Sequence, residues 1–173
     1  MDLTAVDLRA LNSVMGLPPF QTLLDDYASE VHIFLTAAVG RDAADDCYQD
    51  TWLAALRAYP RLQSAENLRG WLLTIARRKA IDHIRARKRA PVPAAELPEI
   101  AAGDPGPADL DGSLWPVVRL LPTKQRIAVA LRYVLDTDYA SIAGAMGISE
   151  DAARRNVHEG LKRLRKEHER DRF

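Results

Sequence analysis

A helix-turn-helix pattern in residues 139–166 constrains the fold of this chain more than any other feature of its sequence. Over residues 149–166, a period of 3.6 places the basic side chains on one arc of a helix and the apolar side chains on another. One face can therefore pack while the other contacts a partner. The apolar set is Ala153, Val157, Leu161 and Leu164, and the basic set is Arg154, Arg155, His158, Lys162 and Arg165.

Both the start of this helix and the turn before it are marked in the sequence. Ser149 is an N-cap residue, and the acids Glu150 and Asp151 follow in the first turn, where the helix dipole favours them. Gly147 can take the left-handed conformation that ends a preceding helix at 139–146. In such a motif the second helix lies in the major groove of DNA. The alternative is an ordinary bundle helix with a solvated basic face.

The remaining periodicity predicts an all-α protein. Apolar residues recur at steps of three and four over 20–39, and further helices are predicted at about 42–59, 67–89, 113–121 and 123–134. No strand-like alternation competes with this interpretation. We therefore expect two small helical domains, at 20–90 and 113–170, and an N-terminal extension at 1–19 that can form a short helix.

Residues 91–112 are expected to form an extended linker between the domains. Proline, alanine, glycine and acidic residues dominate this stretch, which contains no basic residue. Elsewhere the charge is unevenly placed, although the 24 basic and 24 acidic residues cancel. The first 50 residues are mainly acidic and residues 77–89 are mainly basic, which favours two different partners.

The second predicted helix carries the acidic surface. Its carboxylates gather on one side, where like charges repel one another by a few tenths of a kcal/mol per pair, and a basic partner would relieve that repulsion. Simple solubility is the alternative explanation. The shared face consists of Asp42, Asp45, Asp46, Gln49 and Leu53.

The third predicted helix combines aromatic and basic groups on one side, namely Trp71, Arg78, Arg85 and Arg89. An unpaired DNA strand needs cations along its backbone and flat surfaces for its bases, so this helix is a candidate for single-strand binding. Leu62, Gln63 and Ser64, in the preceding loop, are candidates to receive a flipped base. Alternatively, Trp71 belongs to the core with its apolar neighbours.

Catalytic and metal-binding patterns are not found in the sequence. The four histidines are scattered, no glycine-rich phosphate loop occurs, and Cys47 is the only cysteine. We expect no enzyme activity, cofactor, metal site or small-molecule substrate. The N-terminus lacks the pattern of a signal peptide, and no apolar run is long enough to span a membrane, so we expect a cytoplasmic protein without membrane insertion.

Four ordered segments together resemble a bacterial RNA polymerase sigma factor of the extracytoplasmic-function (ECF) group in the sigma-70 family. They are DAADDCYQDTWLAAL at 42–56, NLRGWLLTIARRKAIDHIRARKR at 67–89, LPTKQRIAVALRYV at 121–134 and YASIAGAMGISEDAARRNVHEGLKRLR at 139–165. The resemblance implies a protein that binds core RNA polymerase, directs it to promoters and helps to open the DNA.

The resemblance also implies a role for each charged segment. Asp45, Asp46, Gln49 and Asp50 would contact the polymerase clamp, and the linker would lie toward the active-site channel and the RNA exit path. Binding of the minus-10 element and its extruded base would fall to 62–67, including Asn67, and to Arg78, Asp82 and Arg85. Arg154, Arg155 and His158 would contact the minus-35 element.

Some residues depart from the family pattern, and two other functions stay open. Ala152, Ala153, Asn156 and Glu159 stand where the family often has a threonine-valine pair and further arginines, and Arg78 replaces a frequent asparagine. The promoter sequence is therefore not implied. One alternative is a helix-turn-helix regulator that acts with preassembled holoenzyme; the other is a helical protein that binds polymerase or a sigma factor. An anti-sigma factor is a further candidate partner.

Overall fold

The computed structural model describes residues 16–89 and 115–170, and in these two stretches it contains α-helices and no strand. The short helix expected within 1–19 and the linker expected at 91–112 fall largely or wholly outside the described residues. The helices are α1 (Phe20–Val39), α2 (Arg41–Ala58), α3 (Leu68–Arg89), α4 (Trp115–Leu120), α5 (Thr123–Tyr133), α6 (Tyr139–Met146) and α7 (Glu150–Arg170), with a 3-10 turn at Tyr59–Arg61.

The predicted helices are present, with small differences at their ends. The second predicted helix gives way to the 3-10 turn at Tyr59, one residue before Pro60, which fixes φ and lacks an N–H. The last helix continues past Lys166 to Arg170, because no glycine or proline follows its last apolar residue. Its final turn gains an ion pair between Arg170 and Glu167 at 3.3 Å.

Helices α1, α2 and α3 pack on one another and, with residues 16–19, form the first unit. Val31, Phe34 and Leu35 of α1 are buried against Leu72 and Ala76 of α3 in the same core. Such burial of large apolar side chains contributes about 1.5–3 kcal/mol for each residue.

An aromatic cluster packs around the N-terminal end of α1 in the first unit. The ring of Phe20 meets the rings of Trp52 and Tyr59 edge to face, with centroids 5.9 and 5.2 Å apart. The hydroxyl of Tyr59 donates a hydrogen bond to the carbonyl oxygen of Pro18, and Leu17 is buried. Residues 17–19 thus pack on the first unit.

Helices α4–α7 form the second unit, in which α7 packs on α5 and α6. The turn between α6 and α7 depends on Gly147, whose φ of 64° and ψ of 42° are left-handed, as predicted. Helix α7 approaches α5 closely at Gly160. A Cβ atom there would lie 2.7 Å from a methyl carbon of Val129, so a side chain at this position would push the helices apart.

The two units pack against each other. Helix α6 lies on α3, α5 lies on α1, and buried residues of both units belong to one continuous core. The sequence predicted two domains and gave no sign of this contact, because the residues that meet are far apart in the chain. In the part of the chain that is described, no helix has the length and hydropathy that crossing a membrane requires.

Candidate nucleic-acid interface

Helix α7 presents the basic face that its period predicts. Ala153 and Val157 are buried against the second unit, and Leu161 and Leu164 are half-buried. The opposite arc is open to solvent. Its exposed basic residues are Arg154, Arg155, His158, Lys162 and Arg165.

Helix α6 holds one of these basic side chains. The guanidinium carbon of Arg154 lies 4.6 Å from the ring centroid of Tyr139, and Arg132 contacts the same ring at 5.2 Å. Arg154 also forms an ion pair with Glu150, one turn earlier on α7. The side chain is therefore oriented before any ligand arrives.

Side-chain caps fix both helices of the motif. Ser149 accepts a hydrogen bond from the backbone N–H of Ala152 at 3.2 Å, which confirms its predicted capping role. Asp138 caps α6 by accepting hydrogen bonds from the N–H and the hydroxyl of Ser141, at 2.8 and 3.0 Å. The backbone hydrogen bond from Ser141, then the one from its hydroxyl, lowers the pKa of the Asp138 carboxyl.

Helix α3 carries the second basic face. Arg78, Arg85 and Arg89 are exposed, and Asp82 is exposed among them. Arg77 is half-buried beside this face. Burial, followed by the charges of Arg78 and Arg85, lowers the pKa of Arg77. An anionic ligand on this face would be attracted by these neighbouring cations.

The loop before α3 and the first turn of this helix have partly structural roles. The side-chain oxygen of Asn67 accepts a hydrogen bond from the N–H of Gly70 at 2.8 Å, so Asn67 caps α3. The hydroxyl of Ser64 accepts from the N–H of Glu66 at 3.1 Å. Gln63 is exposed and Leu62 is half-buried against the core.

Trp71 is only partly buried, so both interpretations made from sequence, a DNA contact and a core residue, stay open for it. Its ring is half-buried, packs against the core and lies 6.1 Å from the ring of Tyr59. Its remaining surface borders an open groove of about 440 Å³ between the two units. The groove is lined by Asn67, Gly70, Trp71 and Thr74 of the first unit and by Ala140, Ser141, Gly144 and Ala145 of the second.

The acidic face of the first unit lies on α2. The predicted contact residues Asp42, Asp45, Asp46, Gln49, Asp50 and Leu53 are all exposed there. Asp45 pairs with His32 of α1, whose Nε2 lies 2.9 Å from an Asp45 carboxylate oxygen. Beneath the face, burial and then the charges of Asp50 and Asp46 raise the pKa of the Cys47 thiol.

Two exposed leucines extend this acidic face. Leu53 and Leu56 are 50% and 51% exposed, which is unusual for large apolar residues on a packed helix. Leu56 was not predicted from sequence, although it lies three residues after Leu53 and so on the same side of α2.

Sequence reasoning also missed Arg69 and Arg126. Arg69 was hidden among other basic residues, and Arg126 lies in a helix with no predicted function. Both donate hydrogen bonds from one unit to the other. In residues 16–89 and 115–170, no cluster of histidine, cysteine and carboxylate side chains is arranged to hold a metal ion.

Two family models match the chain. The model described as Sigma-70 region 2 matches residues 23–90, and the model described as Sigma-70, region 4 matches residues 114–164. The chain is 31% identical over 151 residues to the RNA polymerase sigma factor CarQ of Myxococcus xanthus, which covers 84% of this chain and 87% of CarQ. It is 35% identical over 134 residues to the ECF RNA polymerase sigma factor SigD of Mycobacterium tuberculosis, covering 72% of this chain and 63% of SigD.

Solved structures with the same fold are also found. The sigma factor RpoE in complex with the anti-sigma factor NepR, from Bartonella quintana, matches with a TM-score of 0.69 and 22% identity, over 85% of this chain and 94% of the other. CnrH in complex with the cytosolic domain of CnrY matches with a TM-score of 0.69 and 18% identity, over 94% and 97% of the two chains.

Proposed function

The chain belongs to the sigma-70 family of RNA polymerase sigma factors, in its ECF group. From this membership we propose which of its charged surfaces binds polymerase and which surfaces bind promoter DNA. As a sigma factor it binds core RNA polymerase and directs it to promoters. The observation that carries the proposal is the presence of one acidic and two basic faces on three different helices.

The acidic face of α2 is the proposed polymerase contact. Asp42, Asp45, Asp46, Gln49 and Asp50 are exposed beside Leu53 and Leu56. A partner surface with basic residues around an apolar centre would relieve the repulsion between these carboxylates and cover both leucines. Charge complementarity of this kind chiefly raises the rate of association and the specificity.

The basic side of α3 and the loop before it form the proposed minus-10 surface. Arg78, Arg85 and Arg89 can neutralise the phosphates of a separated strand, and Asp82 can accept a hydrogen bond from a base edge. The exposed side chains of Gln63, Ser64 and Asn67 lie at the N-terminus of the same helix. Trp71 contributes only part of its surface, because the side chain is half-buried and packs on the core.

The basic face of α7 is the proposed minus-35 surface. Arg154, Arg155 and His158 come from the first three turns of the helix, which is the part that a helix-turn-helix inserts into the major groove. Lys162 and Arg165 follow on the same arc and are suited to phosphates. Glu159 is exposed as well, and would repel a phosphate placed next to it.

Other parts of the proposal follow from the family. We propose that the chain acts in the cytoplasm with RNA polymerase, has no enzyme activity or cofactor of its own, and is held by an anti-sigma factor, as the sigma factor RpoE is in its complex with NepR. The predicted domain division at 1–19, 20–90, 91–112 and 113–170 stays a proposal, as does the linker's path toward the active-site channel.

Transcription from genomic DNA fragments tests the proposal. Purified core polymerase from the source bacterium would be incubated with the fragments, with and without this protein, and the transcripts sequenced. The expected result is a set of defined start sites that require the added protein and share upstream elements. Transcripts that appear only when another sigma factor is added would favour the helix-turn-helix regulator, and inhibition would favour the polymerase- or sigma-binding protein.

A further inference from the structure

One acidic side chain lies among the exposed basic residues of α7. The three buried residues of this helix centre on one direction around its axis. Counting about 100° per residue, Arg155 and Lys162 point within roughly 20° of the opposite direction, and Glu159 within roughly 60° of it. All three side chains are exposed. Glu159 therefore belongs to the outward surface that α7 would turn toward the major groove.

The carboxylate of Glu159 forms no ion pair or hydrogen bond with any residue that the structure describes. Arg155 lies four residues earlier, a spacing at which opposite charges can pair, although the order with the base first is the weaker one. Arg155 likewise has no such partner among the described residues. By contrast, Arg154 pairs with Glu150. Arg155 and Glu159 are thus both available to a ligand, side by side and with opposite charge.

Two other polar residues of α7 have structural roles that Glu159 lacks. The amide nitrogen of Asn156 donates a hydrogen bond to the carbonyl oxygen of Ala152 at 2.7 Å, and the side chain is half-buried. Asp151 is exposed in the first turn, where the helix dipole favours a negative charge. Glu159 lies in the middle of the helix, where neither capping nor the dipole accounts for an acid.

A carboxylate in the major groove discriminates between bases because it can only accept hydrogen bonds. Guanine presents the acceptors N7 and O6 there, and thymine presents O4 and a methyl group, so both repel or exclude it. Adenine has a donor at N6, but the N7 acceptor beside it opposes a carboxylate. Cytosine presents the N4 amino donor and no acceptor. The base that suits Glu159 is therefore cytosine, whereas an arginine such as Arg155 suits guanine.

We propose that Glu159 is a specificity-determining residue of the minus-35 surface, whose carboxylate accepts a hydrogen bond from the N4 amino group of a cytosine close to a guanine contacted by Arg155. Side chains four residues apart on a helix have Cβ atoms about 5–6 Å apart, which corresponds to one or two base-pair steps of about 3.4 Å. The inference rests on the proposed function, because it requires α7 to enter the major groove.

Selection from a randomised duplex library tests the proposal. The full-length chain, alone and assembled with core polymerase, would be mixed with duplexes randomised over one helical turn, and the bound duplexes sequenced. Wild type should prefer cytosine at one position near a guanine by about tenfold or more. Glu159→Gln should change that preference to adenine, because a glutamine amide pairs with N6 and N7 of adenine. Glu159→Ala should have no preference there and should keep the guanine.

Glu169→Gln is the matched control, because it removes the same charge from an exposed position of α7 about 15 Å further along the helix axis. Its selected sequences should equal those of the wild type. If Glu159 only repels phosphates, Glu159→Ala would bind every duplex more tightly with unchanged base preferences, and the inference would be overturned. A wild type that enriches no cytosine, or a cytosine preference that survives Glu159→Ala, would overturn it as well.

Transcription with core polymerase separates failure of this inference from failure of the proposed function. The templates would carry each of the four bases at the selected position, and the expected result is the highest yield from cytosine with wild type and from adenine with Glu159→Gln. Equal yields from all four templates would leave the sigma function intact and overturn the inference. Selection of cytosine in the binding experiment, without transcription by wild type, would support the base contact and contradict the proposed function.

Discussion

The guanidinium of Arg154 rests on the ring of Tyr139, 4.6 Å from its centroid. The first helix of the helix-turn-helix thus positions a side chain of the second, which is the helix proposed to enter the major groove. Tyr139 has no need to contact DNA to have this effect. It restricts the conformations of Arg154 before binding, so less rotamer entropy is lost when the complex forms.

Tyr139→Leu should weaken binding to a minus-35 duplex by about two- to fivefold, the range expected for loss of an exposed cation–π contact. Fluorescence anisotropy at fixed salt concentration would measure it. Tyr133→Leu is the control, because that side chain is 60% exposed on α5 and has no ring contact with Arg154. An unchanged affinity in Tyr139→Leu would show that the ring does not position Arg154 for binding.

Replacement of Arg154 or Arg155 by alanine should weaken binding to the same duplex by about 1–3 kcal/mol each, through loss of a groove or phosphate contact. Arg163→Ala is the control for Arg154→Ala, since at about 100° per residue its side chain points roughly 180° from Arg154 on α7, whereas it lies only about 80° from Arg155. The basic face would be excluded as the DNA contact if Arg163→Ala weakened binding as much as Arg154→Ala.

The double substitution Asp45→Lys and Asp46→Lys should reduce affinity for core polymerase by about tenfold or more at low salt, and by less at high salt because ions screen exposed charges. Competition against a reference sigma factor would measure the effect. The control is Asp25→Lys with Asp26→Lys on α1, which changes the charge equally and also removes one exposed side-chain hydrogen bond, from Gln21. Equal losses in the two double variants would indicate a general charge effect.

Gly147→Ala should destabilise the protein by about 1–2 kcal/mol, because a Cβ atom is strained in the left-handed conformation at φ 64°. Space is not the reason, since a Cβ atom at this position would have no other atom within 4 Å. Gly144→Ala is the matched control within α6. A Cβ atom at position 144 would also have no other atom within 4 Å, and the backbone there is helical. Gly144→Ala should therefore stabilise the protein by up to about 1 kcal/mol. Urea unfolding of both variants would give the comparison.

The cap of α6 should make stability depend on pH. Because hydrogen bonds from Ser141 lower the pKa of Asp138 below its ordinary value of 3.8, its carboxylate stabilises the folded state at all pH values above that one. This contribution is lost as the pH falls through the lowered pKa. Wild type should thus be more stable than Asp138→Ala at pH 7, and this difference in unfolding free energy should become smaller below about pH 3.8.

Asp138→Asn serves as the control for that experiment, because asparagine is a good N-cap residue that does not titrate over this range. The difference in unfolding free energy between Asp138→Asn and Asp138→Ala should be the same at neutral and acid pH. If the greater stability of the wild type over Asp138→Ala persisted unchanged as the pH fell far below 3.8, the charge of Asp138 would not be what supports the cap.

Much of the candidate nucleic-acid interface could be predicted from local sequence. The helix α6 was predicted at its observed bounds, Tyr139–Met146, and the exposed and buried arcs of α7 were both correct. These features depend on residues three or four apart, so the helical period alone places them. The end of α7 lies beyond the predicted one, at Arg170 instead of Lys166, since charged side chains carry no periodic signal.

The sequence by itself determined the helices, the face each one turns to solvent and the sign of charge on that face, because helical geometry relates near neighbours directly. Tertiary structure alone decided that Arg69 and Arg126 bridge the two units, across 66 and 88 residues of chain, and that Tyr139 supports Arg154. Contacts at such separations depend on how whole helices pack. No local pattern distinguishes an arginine that will meet a distant carbonyl from one that stays in water.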